Sequence, residues 1–238
     1  MTLPQAAAPV FSARGLRFRW QPTGPLVLDV PKFDLAAGER VFLAGPSGSG
    51  KTSFLSVLSG IATASEGSAS LLGHELAALR SSARDRLRAD HLGIIFQLFN
   101  LVPYLSALEN VMLGCQFSAA RRRAVRAGGE GVAQAARRLL GELGLGDATL
   151  ARRAAAQLSV GQQQRVAAAR ALIGSPALVV ADEPTSAFDS ALRDEFLRLL
   201  LAQCAHTGSA LLLVSHDRAM ASRFDRSVEL TGINQVVA

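Results

Sequence analysis

The chain has 238 residues and a net charge of +6, with 49% hydrophobic and 18% charged residues. That composition supplies a sizeable core and excludes a disordered chain. The longest apolar runs, such as Ala177 to Ala181 and Ala210 to Val214, fall far short of the ~18 residues that cross a bilayer. The start, MTLPQAAAPV, lacks the charged head and apolar stretch of a secretion signal, so none is expected. Cys115 and Cys204 form no C-x-x-C pair and read as two reduced cytosolic thiols. The positive charge is almost wholly arginine, since Lys32 and Lys51 are the only lysines. Clusters at Arg121 to Arg123, Arg137-Arg138 and Arg152-Arg153 fit an acidic partner, an anionic membrane surface or a solvated helical face. No stacking aromatics are interleaved with them, so nucleic-acid binding is not expected.

Residues Val10 to Val41 read as short strands with turns. Leu16 to Trp20 alternates, and Pro22, Gly24 and Pro25 interrupt the run. The apolar run Val41 to Ala44 then leads into G-P-S-G-S-G-K-T, Gly45 to Thr52. A buried strand feeding a glycine turn and a helix aims a row of backbone N–H groups at one point, a cradle for phosphate. Gly45, Gly48 and Gly50 let the main chain approach the anion, with Ser47 and Ser49 between them. Lys51 is placed to reach the β- and γ-phosphates, Thr52 to hold Mg²⁺ through its hydroxyl, and Ser53 to share in binding phosphate and metal.

Phe54, Leu55, Leu58 and Ile61 follow helical spacing. Leu92 to Phe96 reads as a buried strand. Residues 97–158 read as mostly helical, with a flexible Gly128 to Gly131 and an amphipathic run through Val132, Ala136, Leu139, Leu140 and Leu143. Leu178 to Ala181 reads as a strand that ends in Asp182-Glu183. The C-terminal edge of a parallel sheet is where open α/β folds bind ligands. There Asp182 fits a Mg²⁺-positioning acid and Glu183 a carboxylate that polarises the attacking water. A helix through Leu192, Phe196, Leu199 and Leu200 and a strand from Leu211 to Val214 complete the alternation. It predicts a mainly parallel sheet wrapped by helices, with a helical insertion and no interdomain linker.

Residues Leu158 to Arg165 read L-S-V-G-Q-Q-Q-R, and here the chain resembles the ATP-binding subunits of ABC transporters. The family's remaining motifs are matched in order from about Phe11 to Leu230. Gln97 matches the glutamine loop, Ser186 to Asp189 the loop after the acidic pair, His216 the switch histidine, and Trp20 the aromatic that stacks on adenine. The resemblance implies a RecA-like P-loop core with an N-terminal antiparallel β-subdomain and an inserted α-helical subdomain. The expected division is a core with β-subdomain over 9–96 and 159–232 and a helical subdomain over 97–158. It also implies ATP and Mg²⁺ as cofactors, Thr52, Gln97 and Asp182 as metal ligands, and Glu183, His216 and Gln97 as catalytic.

Ser159 reads as the cap of a helix from Gly161 to Ile173, whose N-terminal end suits an anion. By resemblance, Ser159, Gly161, Gln162 and Asp189 act on the nucleotide of a second copy in a head-to-tail homodimer. Val160 stands where the family has glycine, and Phe188 where leucine is common. The family further implies an integral membrane permease as partner and a peripheral place on the cytoplasmic face of the inner membrane. The tail Ser215 to Arg218, then Phe224 to Arg226, is similar to the lipoprotein-release, macrolide-efflux and cell-division subgroup. That implies export or release of a hydrophobic or lipidic substrate. An ATPase of a polar amino-acid uptake system and a non-transport ABC ATPase stay open as alternatives.

Overall fold

The computed structural model describes residues 9–186 and 188–236. They fall into two compact units, one reaching up to Arg88 and resuming at Ser215, the other spanning Ala89–Val214. In chain order the first unit holds β1 (Pro9–Phe18), β2 (Leu28–Ala36), β3 (Arg40–Ala44), α1 (Lys51–Leu58), β4 (Glu66–Leu71), β5 (His74–Glu75) and most of α2 (Ser81–His91). The second holds β6 (Leu92–Ile95), α3 (Ala107–Gln116), α4 (Ala119–Ala127), α5 (Val132–Glu142), α6 (Ala148–Arg152), α7 (Val160–Leu172), β7 (Leu178–Asp182), α8 (Ser190–Thr207) and β8 (Ala210–Val214). The chain returns to the first unit for β9 (Arg226–Glu229) and α9 (Leu230–Ile233). The mixed α/β expectation therefore holds: among the described residues four strands form an antiparallel sheet, while β3 pairs in parallel with β9 and β7 in parallel with β6 and β8.

In the first unit the antiparallel sheet has the order β2-β1-β4-β5. Its inner face presents Phe11 and Phe33, and Phe54 of α1 meets both edge-on at 6.3 and 5.2 Å between ring centroids. Edge-to-face aromatic pairs contribute about 0.5–1.5 kcal/mol each beyond their burial, so the phosphate-loop helix is anchored to the sheet by one ring. Strand β3 is buried from Val41 to Ala44 and pairs in parallel with β9. Where β9 begins, Asp225 accepts from the Arg40 backbone N–H at 2.9 Å and its guanidinium at 2.5 and 3.1 Å.

In the second unit β6, β7 and β8 form consecutive parallel pairs. Helix α7 is its central rod and packs against α3, α5, α8 and β6. Its buried face is mostly alanine, from Ala167 to Ala169 and Ala171, and neighbours come close to it. A Cβ at Gly114 of α3 would lie 2.5 Å from the Arg170 carbonyl oxygen. Cys115 and Cys204 are both buried.

Three readings of the sequence need correction. Strand β1 stops at Phe18, so Trp20 lies beyond it and is 60% exposed. Helix α1 ends at Leu58, before the left-handed Gly60, which leaves Ile61 off its buried face and 56% exposed. The arginines at 121–123 are not one solvated face. Arg121 is buried, and its guanidinium donates to the carbonyls of Ala171 and Ile173 at 3.2 Å and to that of Leu92. Arg122 donates to the carbonyls of Cys115 and Gln116 at the end of α3.

Candidate functional site

The phosphate loop leaves the buried end of β3 at Ala44. Gly48 and Gly50 have φ of 81° and 97°, the left-handed region that strains any residue with a Cβ. Gly50 is the N-cap of α1 and brings no side chain to it. The first N–H groups of the helix and its positive dipole end are left to an anion. Lys51 Nζ donates to the carbonyls of Gly45 at 2.6 Å and Pro46 at 2.9 Å. An ammonium carries three donors, so it is fixed over the loop with one N–H to spare. Ser49 Oγ is buried without a hydrogen-bond partner, and a Cβ at Gly45 would come within 2.7 Å of it. Ser47 and Thr52 are exposed.

Beside the loop, Trp20 Nε1 donates to Ser53 Oγ at 3.2 Å, and the indole stands edge-on to Phe18 at 4.9 Å between centroids. An exposed ring pinned by its N–H to the loop helix is a ready stacking platform for a base. The Ser215 N–H donates to the carbonyl of Leu43, two residues before Gly45, and His216 follows exposed in a bend. The structure thus brings Trp20, Ser53 and the loop together in the first unit, and ties the chain beside His216 to the strand that feeds the loop.

One contributor was missed by sequence. Asn234 Oδ1 accepts from the Asp29 N–H at 2.8 Å, while Nδ2 donates to the carbonyls of Val27 at 3.1 Å and Ser49 at 3.4 Å. It laces the C-terminal segment to β2 and to the loop. No local pattern marks it, because its partners lie about two hundred residues away in sequence.

In the second unit the ends of β6 and β7 are neighbours, with Ile95 opposite Ala181. Gln97, exposed in the turn after β6, and Asp182, the last residue of β7, therefore leave adjacent strand ends. Glu183 does not continue the strand. Its φ is 45° and its N–H donates to the Val214 carbonyl at 2.9 Å. A non-glycine residue held there costs roughly 1–3 kcal/mol, and such strain concentrates at functional positions.

Ser159 caps α7 as expected, within a full capping box. Its Oγ accepts from the Gln162 N–H at 3.3 Å, and Gln162 Oε1 accepts from the Ser159 N–H at 2.9 Å. The serine hydroxyl keeps its own hydrogen to donate, whereas the Gln162 carbonyl oxygen serves the cap. Val160 is the first helical residue and 47% exposed. The two departures from the family pattern lie close together, for a Cβ at Gly161 would sit 3.7 Å from the Phe188 ring. Asp189 caps α8 by accepting from the Leu192 N–H at 2.9 Å.

After Gln97, Phe99 and Asn100 have φ of 59° and 50°. Two consecutive left-handed residues without glycine need support from outside the turn. Arg170 in the last turn of α7 supplies it, donating at 2.6 Å to the carbonyls of both Asn100 and Phe99. Burial pushes its guanidinium pKa down. From sequence, a last-turn arginine looks like a cation answering the helix dipole.

The residues fit a nucleotide with Mg²⁺. The uncapped start of α1 and the unpartnered Ser49 hydroxyl suit phosphate. Thr52 in the first unit, and Asp182 and Gln97 in the second, each carry an oxygen donor of the hard kind that Mg²⁺ prefers.

Comparison with known proteins identifies the family. The family model described as ABC transporter matches residues 28–186. The chain is 42% identical to the lipoprotein-releasing system ATP-binding protein LolD 2 of Rhodospirillum rubrum, over 86% of this chain and 85% of that protein. It is likewise 42% identical to the ABC transporter ATP-binding protein YbbA of Escherichia coli strain K12, over 81% of each. Among solved structures, the ATP-binding cassette MJ0796, dimeric in a post-hydrolysis state bound to ADP and Pi, superposes with a TM-score of 0.80. The two are 31% identical, over 92% of this chain and 93% of that one.

Proposed function

The chain belongs to the ABC transporter family, as an ATP-binding subunit that hydrolyses ATP to drive transport, and from that premise we propose how its residues act. Two copies close head to tail around two Mg-ATP and drive a separate integral membrane permease, from a peripheral place on the cytoplasmic face of the inner membrane. The transported substrate is hydrophobic or lipidic and is released or exported. The 42% identity to the ATP-binding protein of a lipoprotein-releasing system supports that choice.

Trp20 stacks the base, and its bond to Ser53 fixes the ring. The N–H groups of Gly48 and of residues 50–53 and the spare Lys51 proton take the β- and γ-phosphates. Thr52, Asp182 and Gln97 supply the oxygens for Mg²⁺, which when bound neutralises phosphate charge. Glu183 orients the attacking water, its strained backbone setting the carboxylate's direction, and His216 contacts the γ-phosphate. Ser159, through its hydroxyl hydrogen, and the N–H groups near Gly161 hold the γ-phosphate of the nucleotide bound by the second copy. Loss of that anion frees the α7 tip, and the pair opens.

The observation that carries this reading is the loop itself, in which two left-handed glycines, an uncapped α1 and a lysine folded onto its own loop carbonyls leave donors for an anion such as phosphate. The test is Glu183→Gln. ATP binding should persist while turnover falls roughly 10²–10⁴-fold, the range of a lost general base. Undiminished turnover would remove Glu183 from the proposed role.

A further inference from the structure

Helix α7 has a second engaged end. Its N-terminus carries the Ser159 capping box, and its last turn carries Arg170, whose two 2.6 Å bonds grip the carbonyls of Phe99 and Asn100. Its thirteen residues span about 20 Å at 1.5 Å per residue. The rod is stiffly held, since α3 approaches it so closely that Gly114 has no room for a Cβ. The gripped loop is not self-supporting. Its own bonds are a turn from the Phe99 N–H to the Phe96 carbonyl and a tight one from the Asn100 N–H to the Leu98 carbonyl, across two left-handed residues. Gln97 and the 83% exposed Leu98 sit at its tip.

We propose that Arg170 is a positioning residue that couples the two ends of α7, making the 97–100 loop move with the helix tip that senses the second copy's nucleotide. The coupling rests on the functional reading above, because it gives the tip something to sense and Gln97 something to report. The clamp itself is independent of that reading. Each carbonyl bond comes from a cation fixed on the helix, so displacement of α7 pulls the loop backbone directly rather than through side-chain packing. A lysine offers a rotatable point ammonium in place of the planar guanidinium fork, so it holds the two carbonyls less rigidly.

The test compares the full chain with its Arg170→Met and Arg170→Lys variants by amide hydrogen exchange read by mass spectrometry, first without nucleotide. Arg170→Met should speed exchange in 97–100 by about tenfold or more, as expected for losing two charge-assisted bonds, while the body of α7 keeps its protection. Arg170→Lys should fall between. Unchanged exchange in 97–100 overturns the clamp, and so does a rise shared equally across 89–214, which marks general loosening.

The same chains carrying Glu183→Gln are then given Mg-ATP. With Arg170 present, 97–100 and 160–163 should change protection together. With Arg170→Met, only 160–163 should respond, and a preserved response in both overturns the coupling. In chains retaining Glu183, Arg170→Met should lower kcat with KM for ATP unchanged. If the native chain neither binds nor hydrolyses ATP, the functional reading fails, and the nucleotide-free comparison still decides the clamp.

Discussion

Replacing Arg121 by methionine tests how the C-terminal end of α7 is held. The side chain is 3% exposed and donates to three carbonyls, two of them from Ala171 and Ile173 where the helix ends. Such terminal carbonyls lack partners within the helix. Leaving three buried acceptors unpaired costs about 1–3 kcal/mol each, a gross loss of about 3–9 kcal/mol. Removing a buried cation that has no hydrogen-bonded carboxylate returns several kcal/mol of desolvation, and methionine preserves most of the stem's packing. The net expectation is a loss of about 2–4 kcal/mol, a large part of a typical 5–15 kcal/mol stability. At 2–4 °C per kcal/mol for a chain of this size, Tm should fall by about 4–16 °C. Urea unfolding followed by circular dichroism measures it, with the exposed Arg123→Ala as control, expected within about 0.5 kcal/mol of the native chain. An Arg121→Met protein that unfolds with the control would refute the reasoning and restore the view of residues 121–123 as one solvated basic face.

Three further outcomes are expected. Trp20 is the sole tryptophan, so ATP should change the intrinsic fluorescence. Trp20→Ala should raise KM for ATP roughly 5- to 100-fold, the value of one stacked base, and spare kcat. Asn234→Ala should cost about 1–3 kcal/mol in urea unfolding and weaken ATP binding, because a lost tie reaches the loop at Ser49. The Arg40 guanidinium and backbone N–H hold the Asp225 carboxyl below its ordinary 3.8. A depressed folded value means the stabilisation is present above pH 3.8 and is lost as pH falls through the folded value. Native chain and Asp225→Asn should therefore differ at neutral pH, by less than about 1 kcal/mol for a pair this exposed, and converge in strong acid.

The parts legible in the sequence are those where backbone geometry or burial dictates residue type. The phosphate loop needs glycine at 48 and 50, and β7 and β8 are buried runs that cannot sit elsewhere. Helix α2, SSARDRLRADH, buries no residue, so it has no apolar stripe to read. Strand β4, EGSASL, offers only Ala69 and Leu71 to the core and is fixed by pairing with β1. The long-range polar ties of Arg121, Arg170 and Asn234 were illegible for another reason. Their acceptors are backbone carbonyls, which every residue carries. The left-handed turn at Glu183 was likewise invisible, since glutamate does not announce a positive φ.

The central claim is that the Ser159-bearing tip of one copy completes the nucleotide held by another. Its most direct test is the mass in solution of the Glu183→Gln chain, by light scattering with Mg-ATP. The 25.0 kDa chain should double its mass with ATP but not with ADP, and adding Ser159→Arg should return it to one chain. A Glu183→Gln protein that stays single while ATP is bound, or one that pairs equally well with Ser159→Arg, would contradict the claim.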